Sequence, residues 1–235
     1  MPAPHRLLRP VAALAAGALL VAIQGPAEAI TYAPIHRPGP ALSIPAAALA
    51  RSLTCSSNLR TSTREATLLI PGTTLTAAQN YSWNYERAFN AQKRPWCAVR
   101  LPDSAMGEIQ AAGEYVVHAI RRMHQLTHRK IQIVGYSQGG MLPRWALRFW
   151  PDTRAMVDDV IGIAPSNHGT LDAIALCNQV VGCAPALWQQ AQGSAFYGAL
   201  NSGAETFAGI SYTDICTVTD EVVVPNFNNA GSSSL

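Results

Sequence analysis

The sequence is poor in charge. Only 13% of its 235 residues are Asp, Glu, Lys or Arg, and the formal net charge is +3. A balance so near neutral lacks the basic footprint of a nucleic-acid binder, so no nucleic-acid partner is expected. Long apolar runs are scarce too. VAALAAGALLVAI, residues 11–23, is 13 residues long, short of the ~20 that a spanning helix needs. No internal repeat is visible, which sets aside solenoids and propellers. Histidine is thin: His5, His36, His118, His124, His128 and His168 are the full set, and none follows position 168. His124 and His128 are spaced for one helical face, but no third ligand accompanies them. A solvated face is the expectation there, with no metal and no cofactor.

The N-terminus has a pattern of its own. MPAPHRLLRP is cationic, the apolar run follows, and Ala27-Glu28-Ala29 is a small-x-small cleavage signature. Residues 1–29 therefore read as a secretory signal peptide cut after Ala29. Five cysteines then lie in an oxidising compartment, where disulfides are expected. Cys177 and Cys183, six apart, suit a small closed loop, while Cys55 and Cys97 flank the first strand-like segment. Spacing alone leaves three pairings open among four cysteines, and Cys216 is left over.

Beyond the leader, residues 30–52 form a Pro-rich arm (Pro34, Pro38, Pro40, Pro45) without periodicity, and residues 53–235 form one domain. A short helix is expected in AAALARSL. EATLLIPG, WCAVRLP, KIQIVGY, VDDVIGIAP and YTDICTV read as five strands. Between them, WNYERAFNAQ is a short amphipathic helix. MGEIQAAGEYVVHAIRRMHQLTH is a long one, with apolar residues at three- and four-residue steps. GGMLPRWALRFW is a third, with Pro143 expected in its first turns. ALWQQAQGSAFYGALN is helical in parts. Near-continuous apolar strands alternating with helices imply an α/β fold with a mostly parallel sheet covered on both faces.

The chemistry concentrates at Gly135-Tyr136-Ser137-Gln138-Gly139, a G-x-S-x-G preceded by a strand and followed by a helix. That context is the nucleophile elbow. A tight turn lifts the serine Oγ above the sheet, small residues two before and two after let strand and helix pass closely, and the Gln138 amide points at the same spot. The plain alternative is an ordinary βα turn. A second oxyanion donor belongs in the loop after an earlier strand, and Thr73 in LLIPGTT suits it, with a simple strand-ending turn as the alternative. The acid belongs after a later strand. Asp220 stands there, with Asp214 and Glu221 as competitors, whereas Asp158 and Asp159 lie at the wrong end of the sheet. The base is the gap. His168, in APSNHGT, is at the right edge but precedes the acid, so its expected part is to shape the loop beneath the pocket.

These residues carry a resemblance. VGYSQGGMLPRWALRFWPDTRAMVDDVIGIAPSNHGT, together with LLIPGTT, LTC…WC, LWQQAQGSA and TDEVVVP in the same order, resembles the secreted class 2 lipases of actinobacteria. More distantly, it resembles the yeast lipase B type. The likeness runs from about Leu53 to Pro225. It implies an α/β-hydrolase that cleaves carboxylic esters of medium and long acyl chains without a metal, with Ser137 as nucleophile and Asp220 as acid. It implies an oxyanion hole of Thr73 and the Gln138 amide, Gln190 in the acyl pocket, and a Cys55–Cys97 bridge. Family members continue beyond the acid to a histidine and a further cysteine, so a truncated sequence lacking its last elements is the expectation. The implied partners are an acyl-ester or lipid substrate and a transient lipid interface, for a secreted monomer.

Overall fold

The computed structural model describes residues 30–179, 182–227 and 230–235, so the leader expected at 1–29 lies outside the described residues. From Tyr32 onward the chain clusters into one unit, with the Pro-rich arm included in it.

A six-stranded sheet is its frame among the described residues. The strands are β1 (Leu53–Cys55), β2 (Ala66–Ile70), β3 (Trp96–Val99), β4 (Ile131–Tyr136), β5 (Val157–Ile163) and β6 (Ser211–Ile215). Their spatial order is β1-β3-β2-β4-β5-β6, and every pairing is parallel except β1 with β3. Five of these match the expected strands. β1 is the addition: three residues are too few to show a period, and its partner lies more than 40 residues away. β7 (Asn226–Phe227) pairs antiparallel with β8 (Ala230–Gly231).

The apolar run of β2 has a direct cause. Leu68 and Ile70 pack into the larger core, Leu69 into the smaller one on the other face, and all three are fully buried. The larger core is closed by α4 (Ile109–Thr127) and α5 (Gln138–Phe149), and the smaller by α2 (Ala77–Tyr81) and α3 (Tyr85–Ala91). On α4, Ile109, Ala112, Val116, Ile120 and Met123 form the buried stripe, and His128 ends the helix in the left-handed conformation at φ 53°. His124 Nδ1 meets the Arg129 carbonyl at 2.9 Å, so that ring ties down the helix end. A Cβ on Gly113 would lie 2.5 Å from the Trp145 ring, which explains the close approach of α4 and α5. Pro143 is the sixth residue of α5, in the second of its turns. It removes one ladder bond, and burial along nearly the whole helix carries the structure through.

Cys55 sits opposite Cys97 across the β1–β3 pair, and the two are joined by a disulfide; Cys177 is joined to Cys183. Cys216 is a free, exposed thiol.

Candidate active site

Ser137 is the residue between β4 and α5. Its backbone stands at φ 53°, ψ −123°, as the N-cap of the helix. Side-chain-bearing residues rarely adopt such angles, and holding one there costs about 1–3 kcal/mol. The surroundings hold it. The Ser137 N–H donates to the Ile163 carbonyl at 2.8 Å, and its own carbonyl accepts from the Gly140 N–H at 2.9 Å. Glycine is required on either side. A Cβ on Gly135 would sit 2.0 Å from the Gly139 carbonyl oxygen, and one on Gly139 would sit 2.2 Å from that of Ile70. Ser137 is half-buried and lines a cavity of about 310 Å³.

The loop after β2 reaches the same place. A Cβ on Gly72 would fall 3.2 Å from Ser137 Cβ, so the bare backbone there lets the loop touch the elbow. The Gly72 N–H is fixed by Asn80 Oδ1 at 3.0 Å, and Thr74 turns the chain with φ 67°. Thr73, between them, lines the cavity, and its Oγ1 accepts from Gln190 Nε2 at 2.9 Å. Gln190 is in turn gripped: its Oε1 accepts from the buried Ser166 hydroxyl at 3.2 Å, and it is only 5% exposed. Because an accepting hydroxyl keeps its own hydrogen free, Thr73 can still donate toward the cavity. Gln138 opens α5, so its amide is one of the orphan N–H groups of a helix start. Its side chain is buried and donates to the Ala105 carbonyl at 3.2 Å.

The three acidic candidates separate. Asp220 lies in the turn after β6. Its Oδ1 accepts from the amides of Val222 and Val223, both at 2.9 Å, and those two valines line the cavity although Asp220 itself does not. Asp214 is inside β6, on the α5 side, where its Oδ2 accepts from Asn167 Nδ2 at 3.0 Å. Burial raises the Asp214 carboxyl to about 6, against the opposing pull of Arg144, Asn167 and His168. Glu221 is exposed.

Among the described residues no histidine lines the cavity. His168 has both ring nitrogens engaged elsewhere, with Nε2 3.1 Å from Glu205 Oε2 and Nδ1 3.2 Å from the Gly231 carbonyl. It belongs to a polar cluster built on Arg144, which is almost fully buried. That guanidinium donates to the Asn167 carbonyl, Asn201 Oδ1 and the Glu205 side chain. The cluster supports the loop that carries Ser166 and Thr170.

The segment 186–200 divides between the cavity wall and the core. Leu187 and Gln190, on α7 (Pro185–Gln190), do reach the cavity. Phe196, Tyr197 and Leu200, on α8 (Ala195–Leu200), are core residues instead, and Phe196 stacks on Trp145 with centroids 4.7 Å apart. The other wall is α6 (Leu171–Gln179), which supplies Asp172, Ala173 and Leu176 and was not anticipated as an element. The run LDAIALC was the available signal, too short to separate helix from strand. Thr74, Leu75, Tyr136 and Thr170 complete the lining; Tyr136 lies inside the G-x-S-x-G motif, whereas nothing in its sequence surroundings marked Thr170.

Comparison with known proteins decides the family. The family model described as "Lipase (class 2)" matches residues 107–235. This chain belongs to the class 2 lipases. Lipase B of Pseudozyma antarctica is 32% identical over 197 residues, covering 81% of this chain. The crystal structure of Aspergillus fumigatus lipase B superposes with a TM-score of 0.74 at 27% identity, over 90% of this chain. Bacillus licheniformis lipase BlEst2 in its mature form superposes over 69% of this chain and 70% of its own, with a TM-score of 0.56 at 18% identity. At that identity the likeness is one of fold. This class 2 lipase chain is thus a lipase B-type α/β-hydrolase. It spans 56% of the length of the Pseudozyma relative and 52% of the Aspergillus chain.

Proposed function

We propose that the protein is a secreted carboxylic ester hydrolase acting on triacylglycerols or similar acyl esters, with Ser137 as its nucleophile. One observation carries the reading: a strained serine at a helix start, lining a cavity beside a threonine whose hydroxyl is pre-set by a buried glutamine. In the proposed reaction Ser137 Oγ attacks the ester carbonyl. The Thr73 hydroxyl and the Gln138 amide receive the developing oxyanion, each donor contributing about 3 kcal/mol. The alcohol leaves, and water releases the acid from the acyl-enzyme. Asp220 is the proposed acid that would orient a histidine, and Gln190 both lines the acyl cleft and steadies Thr73.

Proton transfer needs a base, and none of the described histidines stands over the cavity. In a comparable triad, loss of the base costs on the order of 10⁶ in turnover. In a longer chain, a histidine supplied beyond Leu235 would take the Ser137 proton. Unaided, residues 30–235 are expected to turn over esters very slowly. The proposed localisation rests on the leader pattern together with two disulfides. Exposed Leu176 and Val222 line the cavity, exposed Leu171 and Trp188 are chain neighbours of lining residues, and together they suit a transient lipid interface for a monomer.

That no described histidine lines the cavity favours a second reading, an acyl-ligand binder that does no chemistry. One assay separates the two. Added imidazole should accelerate hydrolysis of a p-nitrophenyl butyrate by the purified protein, and Ser137→Ala should abolish the accelerated part. Binding of a non-hydrolysable acyl analogue with no serine-dependent, imidazole-assisted turnover would favour the binder.

A further inference from the structure

The cavity at Ser137 has a single charged residue in its lining, Asp172. The rest of the lining is apolar or uncharged, with Ala173, Leu176, Leu187, Val222 and Val223 as its aliphatic part. Asp172 is half-buried. Its backbone is fixed by Thr170, whose Oγ1 accepts from the amides of Asp172 at 3.2 Å and Val224 at 3.1 Å and donates to the Val222 carbonyl at 2.5 Å. The Leu171 N–H adds a bond to the Val224 carbonyl at 3.0 Å. The start of α6 is thus clamped to the segment that carries two of the lining valines.

The Asp172 carboxylate itself has no partner among the described residues. It accepts no hydrogen bond, and no cation lies within ion-pair distance. The two carboxylates weighed for the acid differ in this: Asp220 takes two amides and Asp214 takes Asn167. An ionised carboxylate only accepts, and apolar neighbours deprive it of part of its water. The plain alternative is a helix-start role, since Asp172 lies in the first turn of α6, where the dipole favours an acidic side chain. That role calls for a first-turn position only. It does not call for a place in the wall of the cavity that holds the serine.

We propose that Asp172 sets charge selectivity at this cavity, favouring esters that carry an ammonium group and disfavouring those that carry a carboxylate. The inference narrows the ester-hydrolase reading above and rests on it. An ammonium group supplies the donors and the charge that the wall lacks, while the aliphatic residues receive the remainder of the ester. A second carboxylate beside Asp172 would meet like-charge repulsion. The volume of about 310 Å³ is roughly ten times the ~30 Å³ share of a water molecule, room for a short ester with such a group.

Three small esters make the test: acetylcholine, its uncharged analogue neohexyl acetate, and monoethyl succinate, which carries a carboxylate. Binding is followed by backbone NMR shifts of the Ser137→Ala protein, which lacks the nucleophile. All three should shift residues 170–176 and 187–190. Acetylcholine should bind about fivefold more tightly than neohexyl acetate, the size of a partly exposed ion pair, and monoethyl succinate more weakly than either. Adding Asp172→Asn should bring the acetylcholine to neohexyl acetate ratio near one, and Asp172→Glu should keep the preference. A helix-start role alone would lower the melting point of the Asn variant and leave the ratio as it was, which overturns the proposal. So would equal affinities in the Asp172 protein. A preference that persists in Asp172→Asn would assign it to the ring of Tyr136 instead. These outcomes leave the hydrolase reading intact, whereas no ester binding at the cavity would sink both.

Discussion

At the level of single residues, the site rests on atoms that have no room to move. The obstruction facing any side chain at 139 is the backbone oxygen of Ile70, 2.2 Å away, which cannot rotate aside. Gly139→Ala should therefore destabilise the fold by at least ~1–3 kcal/mol, the usual penalty of overpacking, read as a lowered denaturant midpoint. Thr73→Val keeps the amide and shape but deletes the hydroxyl held by Gln190. Under imidazole-assisted assay its turnover should fall about 100-fold, in line with removal of one oxyanion donor. Gln190→Ala leaves that hydroxyl in place but unsteadied, so a smaller loss is expected. A Gln190→Ala loss larger than that of Thr73→Val would mean that Gln190 contacts the substrate itself.

Among elements, the N-terminal edge of the sheet depends on its crosslink. β1 has three residues and pairs with β3 alone, and Cys55–Cys97 closes a chain separation of 42 residues. Removing that closure should cost about 4 kcal/mol on the loop-entropy account. For a chain of this size the Cys55→Ala/Cys97→Ala variant should melt about 10 °C lower, as followed by circular dichroism. The Cys177–Cys183 bridge closes a separation of only six residues, on the cavity-lining side of the chain. Its removal should shift the melting point less and the substrate preference more. The two halves of the 186–200 segment also part company here. α7 contributes to the cavity wall, while α8 is anchored by Phe196 against Trp145, so any movement over the cleft belongs to α6 and α7.

Across the whole molecule, the polar cluster beneath the site sets a pH dependence. Burial raises the folded-state carboxyl of Asp214 to about 6 from an ordinary value near 3.8. Between those values the folded protein holds a proton that the unfolded chain releases. The favourable contribution is therefore complete below about pH 3.8 and is lost as pH rises toward 6. Asp214→Asn keeps an oxygen acceptor for Asn167 and removes the titration. Compared with the parent in denaturant melts, it should flatten this part of the stability profile between pH 4 and 6. An unchanged slope in the variant would show that another group governs that range.

The sequence by itself determined the periodic and the local. Continuous apolar strands marked a sheet buried on both faces, the stripe on α4 marked its core side, and G-x-S-x-G marked a turn that only glycine neighbours permit. These patterns are legible because burial and backbone sterics act on residues close in the chain. Tertiary structure alone decided the rest. The strand β1, the pairing of Gln190 with Thr73 across 117 positions, the walls supplied by α6, and the hydrogen bond from Arg148 to the Ala33 carbonyl of the arm all join distant segments. No local spacing encodes such meetings, since the energy that rewards them appears only once the sheet has brought the segments together.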